Sequence, residues 1–224
     1  MIKNLLFDMD NTLYSETNRI DIMMNKRIIR FVADFFHVPV EEARQLRIKG
    51  LKKYGTTVEW LRTDHNFRDM SEYFESVHPD YETDEVEYDP RLRPFLQILK
   101  KVFHLSVLTN APKIHASRIL RHLNITDLFD GIYDLESNNF LGKPHKDAYL
   151  KAIEEQEFTV SQTLFFDDHP SYVKGFTDIG GKGVLIDPFD VYENNEFVQQ
   201  SVFARIKTIY EIPTLLKSMK NNKH

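Results

Sequence analysis

Residues Asn4 to Tyr14 read NLLFDMDNTLY. The apolar run Leu5-Leu6-Phe7 stops at a carboxylate, Asp8, and a second one, Asp10, follows two positions on. Residues i and i+2 of an extended chain point to the same face. A buried strand that ends in Asp-x-Asp therefore sets two acids side by side where it meets solvent. About 4 Å apart, two such charges repel by roughly 4 kcal/mol at an effective dielectric near 20. A cation between them, or a proton on one of them, removes that cost. The ordinary alternative is a strand running into an acidic turn, and the rest of the chain has to decide between the two.

Working outward, the first strand is expected over residues 3–8. Ile20, Met23, Met24, Ile28, Phe31, Val32 and Phe35 then fall at helical spacing, which predicts an amphipathic helix over about 17–36, ended by His37-Val38-Pro39. Residues 41–54 read as a second helix closed by Gly55 in a C-terminal capping position. Residues 57–64 and 70–77 read as two shorter helices, and no strand signal occurs between 15 and 90. The pattern then alternates: helix 90–102, strand 104–109, helix 114–123, strand 129–135, helix 146–155, strand 163–166, helix 171–179, strand 183–186. Such alternation predicts an α/β fold, a Rossmann-like parallel sheet covered on both faces. Residues 15–88 form a helical insertion after the first strand, and 1–14 with 89–224 form the core. Residues 206–216 read as a helix docked on the sheet, and Lys217 to His224 as a frayed tail.

The bulk numbers exclude several function classes. A chain of 224 residues with 42% hydrophobic and 28% charged residues reads as an ordinary globular protein of one or two domains. A net charge of -5 gives no broad basic surface for nucleic acid. The absence of cysteine removes disulfides, thiolate metal sites and cysteine nucleophiles. No apolar run approaches the ~20 residues that span a bilayer, and no basic-then-apolar leader is seen, so the expectation is a cytoplasmic protein with no membrane partner, working as a monomer or homodimer.

In an open parallel sheet, ligands bind at the carboxyl ends of the strands. Three expected strands end in groups suited to one reaction: Asp8 and Asp10, then Thr109 and Asn110, then Asp167 and Asp168. Lys143, in Gly142-Lys143-Pro144, lies in a loop just before a helix. Converging carboxylates need a hard cation, and oxygen-only ligands favour magnesium. A lysine and a hydroxyl beside them bind an anion, and a site for both is a phosphate site. The residue types then suggest a mechanism. Asp8 attacks phosphorus to form an aspartyl-phosphate. Asp10 protonates the leaving alcohol and later deprotonates water. Thr109, Asn110 and Lys143 hold the phosphoryl oxygens. Each element has a plainer reading alone: Thr109 ends a strand, Lys143 is a solvated loop lysine, Asp167-Asp168 caps a helix. Their co-occurrence in one order is what carries the chemistry.

This order resembles the haloacid dehalogenase superfamily of aspartate-nucleophile hydrolases. The superfamily's Asp-x-Asp-x-Thr-Leu motif is matched by Asp8 to Leu13, its strand-end Ser or Thr by Thr109, its Lys before Pro by Lys143, and its acidic pair by Asp167-Asp168. The resemblance implies that Asp8 is nucleophile and magnesium ligand. It implies that Asp10 is acid/base and binds the metal through its backbone carbonyl. Asp168 is then a third metal ligand with Asp167 beside it, and the insertion is the superfamily's helical cap. Dehalogenases lack an acid at the position of Asp10, so the resemblance points to a phosphatase.

A narrower resemblance runs through Lys53-Tyr54-Gly55-Thr56-Thr57, Trp60-Leu61, His65, Thr109-Asn110-Ala111, His115-Ala116 and Tyr210-Glu211-Ile212-Pro213. It is similar to the pyrimidine 5′-nucleotidase group, which implies a pyrimidine mononucleotide as the small phosphorylated substrate. Phosphoglycolate or a sugar phosphate is the alternative, and a catalytically silent phosphate-binding module is a third reading of another class. The chain departs from the group at Tyr172, which stands where an Asn would help orient the metal shell. In the cap, Tyr54 and His65 are the candidates to contact a base or ribose. Trp60 and Leu61 read as core of a helical bundle, Arg62 and Arg68 as solvated, and His115 as facing either the cleft or the surface.

Overall fold

The computed structural model describes residues 1–14 and 19–221. Residues 17 and 18 of the first expected helix, and 222–224 of the expected frayed tail, lie outside the described residues.

Six strands, β1 (Asn4–Phe7), β2 (His104–Leu108), β3 (Gly131–Tyr133), β4 (Thr163–Asp167), β5 (Lys182–Ile186) and β6 (Ala204–Ile206), form one sheet in the order β3-β2-β1-β4-β5-β6. Every pairing is parallel. Buried on both faces, the strands alternate between two apolar layers rather than between core and water. Leu5, Phe7, Leu105, Val107, Leu164 and Phe166 face one layer, and Leu6, Leu108 and Phe165 face the other. Phe7 and Phe166 are register partners on adjacent strands and stack with centroids 5.0 Å apart. The first layer is covered by Leu92, Leu96 and Leu99 of α5 (Leu92–Lys100), Ile119 and Leu120 of α6 (Lys113–His122), and Ile212 of α10 (Ile212–Asn221). The second is covered by Tyr149 and Ile153 of α7 (Lys146–Glu154) and Phe176 of α8 (Pro170–Asp178). This strand order reverses direction at β1, and in such sheets the crevice at the reversal binds ligands.

Between β1 and α5 lie α1 (Arg19–Phe36), α2 (Val40–Leu51), α3 (Thr57–His65) and α4 (Met70–Val77), with no strand among the described residues there. They share an apolar cluster of their own that includes Ile28, Phe31, Val32, Trp60, Leu61 and Tyr73. Phe31 meets Tyr73 edge-on at 4.9 Å, a favoured aromatic geometry. Trp60 and Leu61 are buried, as the bundle reading expects. Leu135, from the loop after β3, is buried in the same cluster. Among the described residues no helix is long and apolar enough to cross a membrane.

Several local expectations need correction. The second helix stops at Leu51, not at residue 54, and Gly55 is not its cap. A Cβ at Gly55 would lie 2.9 Å from the carbonyl oxygen of Lys143, so the glycine permits a close approach between insertion and core. Ile206 belongs to strand β6 and Ile209 to a 3-10 turn over Ile209–Glu211, so the expected helix over 206–216 is in fact strand, turn and α10. Pro213 sits in the first turn of α10, where its missing N–H costs nothing. Residues Lys217 to Asn221 continue that helix rather than fray. The helix α9 (Glu196–Ser201) has no counterpart in the sequence reading.

Candidate active site

The chain leaves β1 through Asp8, whose N–H donates to the carbonyl of Phe166 at 2.8 Å and so extends the ladder by one residue. It then winds tightly: the N–H of Leu13 bonds the carbonyl of Met9 at 3.0 Å, and Asn11 takes a left-handed φ of 58°. That turn brings Asp10 back over the end of the strand. Asp167 closes β4 beside it, and Thr109 follows β2. Three strand ends thus converge because three strands are neighbours in the sheet.

Lys143 is 1% exposed, yet it is a lysine. Its Nζ donates to Asp8 Oδ1 at 2.6 Å and to Asp167 Oδ2 at 2.7 Å, and it lies 5.3 Å from the centre of the Tyr172 ring. Burial alone pulls an ammonium pKa down; the two carboxylates outweigh it and carry Lys143 above its ordinary value. The loop that delivers it is clipped by Asn110. The side-chain amide of Asn110 donates to the Lys143 carbonyl at 2.9 Å, and its oxygen accepts from the Lys143 N–H at 2.7 Å. A Cβ at Gly142 would fall 2.2 Å from that oxygen, so the clip needs the glycine. The sequence reading puts Asn110 among the phosphate ligands. In the structure its amide bonds the N–H and C=O of the lysine loop, and the residue also lines the cleft.

Thr109 is buried, with its hydroxyl oxygen accepting from the Ala111 N–H at 3.0 Å. Asp167 Oδ1 accepts from the His169 N–H at 2.8 Å. Carboxylate oxygens of Asp8, Asp167 and Asp168 all lie within 4.8 Å of one another. Burial, with Asp167 adding to it, pushes Asp168 up to about 8. Burial also pushes Asp8 up, against the pull of Lys143, and Asp167 and Asp168 add to the push. Asp10 behaves oppositely. Burial would raise it, but His115, whose Nε2 lies 3.0 Å from Oδ1, and the hydroxyl of Tyr14 on the same oxygen hold it below its ordinary value.

A cleft of about 460 Å³ runs from Asp8, Asp10, Thr109, Lys143 and Asp168 to a wall built by the insertion, including Met24, Ile28, Leu51, Tyr73 and Phe74. Arg47 of α2 lines the same cleft. Its Nε donates to Thr57 Oγ1 at 3.0 Å, and among the described residues it has no carboxylate partner. Burial pulls its pKa down. Tyr54 and His65, the cap residues singled out in the sequence, do not line this cleft. The Tyr54 hydroxyl donates to Asp64 Oδ1 at 2.5 Å. His65 lies edge-on to Phe36 and Trp60 at 4.7 and 5.2 Å. His65 ends α3, whose cleft-lining residues Thr57 and Val58 are at its start, and Tyr54 precedes the helix. Arg62 lies 4.2 Å over the Phe140 ring, half-buried rather than solvated, while Arg68 is exposed.

The insertion rests on the core at this site. Tyr172 donates to the Gly55 carbonyl at 3.3 Å, and His145 Nε2 lies 3.0 Å from Glu59 Oε1. His115, left open between cleft and surface, is fully buried. Three residues escaped sequence reasoning altogether: Arg47, Tyr14 and Glu82. Tyr14 falls four positions after Asp10, a helical spacing that could have been read. Arg47 and Glu82 carry no such signal.

A family model described as haloacid dehalogenase-like hydrolase matches residues 2–180. Phosphate metabolism protein 8 of Saccharomyces cerevisiae is 28% identical over 96% of this chain and 72% of its own length. Glyceraldehyde 3-phosphate phosphatase of Methanocaldococcus jannaschii is 22% identical over 99% of this chain and 100% of its own. Among solved structures, a HAD phosphatase from Thermococcus onnurineus superposes with a TM-score of 0.68 at 20% identity, covering 96% of this chain and 98% of that one. That likeness is one of fold.

Proposed function

The chain belongs to the haloacid dehalogenase-like hydrolase family, and from that premise we propose a magnesium-dependent phosphomonoesterase that works through an aspartyl-phosphate on Asp8. The observation that carries the reading is the pairing of two differently treated acids at one strand end. Asp8 is hydrogen-bonded to the buried Lys143, while Asp10 has two donors on one oxygen, His115 and Tyr14. Two acids at one strand end held by such different partners, a buried ammonium on one and an imidazole and a phenol on the other, are suited to two jobs. Asp8 attacks phosphorus. Asp10 gives its proton to the leaving oxygen and then takes one from the water that cleaves the acyl phosphate. Lys143 and Thr109 line the space where phosphoryl oxygens would sit. A silent binding module would not need Asp10 so held.

The donor set fits a hard divalent cation. The cluster of Asp8, Asp167 and Asp168 offers only oxygens, and the upward push on Asp8 and Asp168 is what a bound cation reverses. Asp8, Asp168 and the Asp10 carbonyl would hold magnesium, with Asp167 beside them. When bound, the ion supplies charge that lets a carboxylate approach a phosphate anion.

We assign residues 15–88 to a cap and the remainder to the hydrolase core. For the substrate we propose a pyrimidine nucleoside 5′-monophosphate. A cleft of about 460 Å³ lies in the range of small-ligand sites, about 300–1,000 Å³. Its far wall is apolar and aromatic, suited to a flat base, and Arg47 offers N–H donors to a pyrimidine carbonyl. The second reading is a smaller phosphate ester, such as a triose phosphate, phosphoglycolate or a sugar phosphate. It is supported by the full-length relative that is a glyceraldehyde 3-phosphate phosphatase. Phosphate release from uridine, cytidine and purine monophosphates, glyceraldehyde 3-phosphate, phosphoglycolate and sugar phosphates, each with magnesium and with chelator, tests both. Magnesium-dependent preference for the pyrimidines is expected. Preference for a small ester moves the substrate and keeps the chemistry, and no release from any ester overturns the enzyme reading.

A further inference from the structure

Asp10 is the end of a buried chain of charged groups that extends well beyond the reacting atoms. His115 Nε2 lies 3.0 Å from Asp10 Oδ1, and its other ring nitrogen, Nδ1, lies 2.8 Å from Glu82 Oε2. His78 Nδ1 meets that same Glu82 oxygen at 2.9 Å, and the two imidazoles lie 4.4 Å apart. Arg118 stands 3.6 Å from the second Glu82 oxygen and donates to the His78 carbonyl at 2.7 Å. His115 and Glu82 have no exposed surface at all.

Packing does not explain this arrangement. Burying paired charges gains little over an apolar core of the same volume. His115 also lies in the first turn of α6, the end of a helix that disfavours a cation. Yet both ring nitrogens face carboxylates, so both act as donors, which only the imidazolium can do. The geometry gives this cation one evident task. With His115 and Tyr14 both on Oδ1, that oxygen is saturated and the side-chain torsion of Asp10 is fixed. The other oxygen, Oδ2, is left for the reaction.

We propose that His115, held in turn by Glu82, is the positioning residue for Asp10: it occupies Oδ1 and presents Oδ2 to the leaving oxygen. This rests on the acid/base reading of Asp10. In the first half-reaction the bond from phosphorus to the leaving oxygen breaks as Asp8 attacks, and the proton on Asp10 Oδ2 passes to that oxygen. In the second, Oδ2 takes a proton from water as its oxygen attacks phosphorus and the bond to Asp8 breaks. Glu82 belongs to a 3-10 turn at the end of the insertion (Glu82–Glu85), whereas His115 and Asp10 belong to the core. The register of the proton donor therefore depends on the insertion's return segment.

The test compares leaving groups with the magnesium-loaded full chain. The parameter is kcat/KM, which reports the phosphorylation half-reaction. An alkyl ester, the fastest of the panel, needs a proton on its departing oxygen; p-nitrophenyl phosphate, with an acidic phenol, needs it far less. His115→Leu is expected to lower kcat/KM for the alkyl ester at least ~10-fold more than for the aryl ester, a share of the ~10²–10⁴ that general acid catalysis supplies. Glu82→Gln should show the same asymmetry more weakly. His115→Gln, which keeps one donor towards Asp10, should recover part of it, and inhibition by inorganic phosphate should not move. If His115→Leu does not fold, the Gln variants carry the comparison. Asp10→Asn is the reference. Should it show the asymmetry while the His115 and Glu82 variants lose both esters equally, the positioning role is overturned. Should Asp10→Asn itself show none, the acid/base reading falls first.

Discussion

The ammonium of Lys143 lies 2.6 Å from Asp8 Oδ1, across 135 residues of chain and almost out of reach of water. That contact, with the one to Asp167 at 2.7 Å, makes a single cation answerable for two buried carboxylates. Removing one partner of a buried charge pair costs about 3–5 kcal/mol, mostly from the charge left behind. Lys143→Met should therefore lose both turnover and stability, with the unfolding free energy from urea titration falling by that order in the absence of divalent cation. A variant as stable as the parent would mean that water or a second cation already serves these acids.

Asp8→Asn separates chemistry from stability. It removes the proposed nucleophile and also one negative charge from a crowd in which burial, Asp167 and Asp168 already push the carboxyl upwards. Turnover should vanish while the thermal midpoint, measured without divalent cation, holds or rises. Asp10→Asn should cost at least ~10²-fold in turnover. Retained turnover in the Asp8 variant would mean that another group attacks phosphorus.

These outcomes also show which parts of the molecule were legible in the sequence. The alternation of strand and helix was enough for the sheet, because strands buried on both faces announce themselves as continuous apolar runs such as Leu5-Leu6-Phe7 and Leu164-Phe165-Phe166. It failed at β6, where three residues on the sheet edge bury only Ile206, and at α9, whose six residues bury only Val198 and Ser201. At the site, the acids stood out because paired carboxylates are costly at strand ends, and the loop lysine because it occurs with them in one order. Tyr54 and His65 misled because aromatic and histidine side chains near a cleft look alike whether they face it or turn away, as His65 does edge-on to Trp60 and Phe36 and Tyr54 does to Asp64. Arg47 and Glu82 were hidden for a different reason. A charged residue on an amphipathic helix or an acidic turn is ordinary until tertiary structure shows what it lacks or what it meets.

Arg47 is the clearest lever on substrate choice. Among the described residues its guanidinium has a hydroxyl partner, Thr57, and no carboxylate. A hydrogen bond from a charged donor contributes about 1.5–3 kcal/mol, which is roughly 10- to 100-fold. Arg47→Met should lower kcat/KM by that factor for the preferred natural ester and leave p-nitrophenyl phosphate nearly unchanged. An equal loss on both would place Arg47 in the support of the cap and not at the leaving group.

Glu82 should write its charge into the acid limb of stability. It faces His78, His115 and Arg118. Burial would raise its pKa, but the two histidines outweigh this and hold it at about 2, against an ordinary 4.5. A carboxyl depressed on folding stabilises fully above its unfolded pKa. As pH falls below about 4.5 the unfolded chain takes up the proton first, and the contribution drains away down to about 2. The depression corresponds to something on the order of 3 kcal/mol. Urea midpoints measured between pH 6 and pH 3 should fall more steeply for the parent than for Glu82→Gln, which has no charge to lose. The two curves should approach each other towards the acid end. Parallel curves over that range would mean that the Glu82 carboxylate is not held by the histidines in solution.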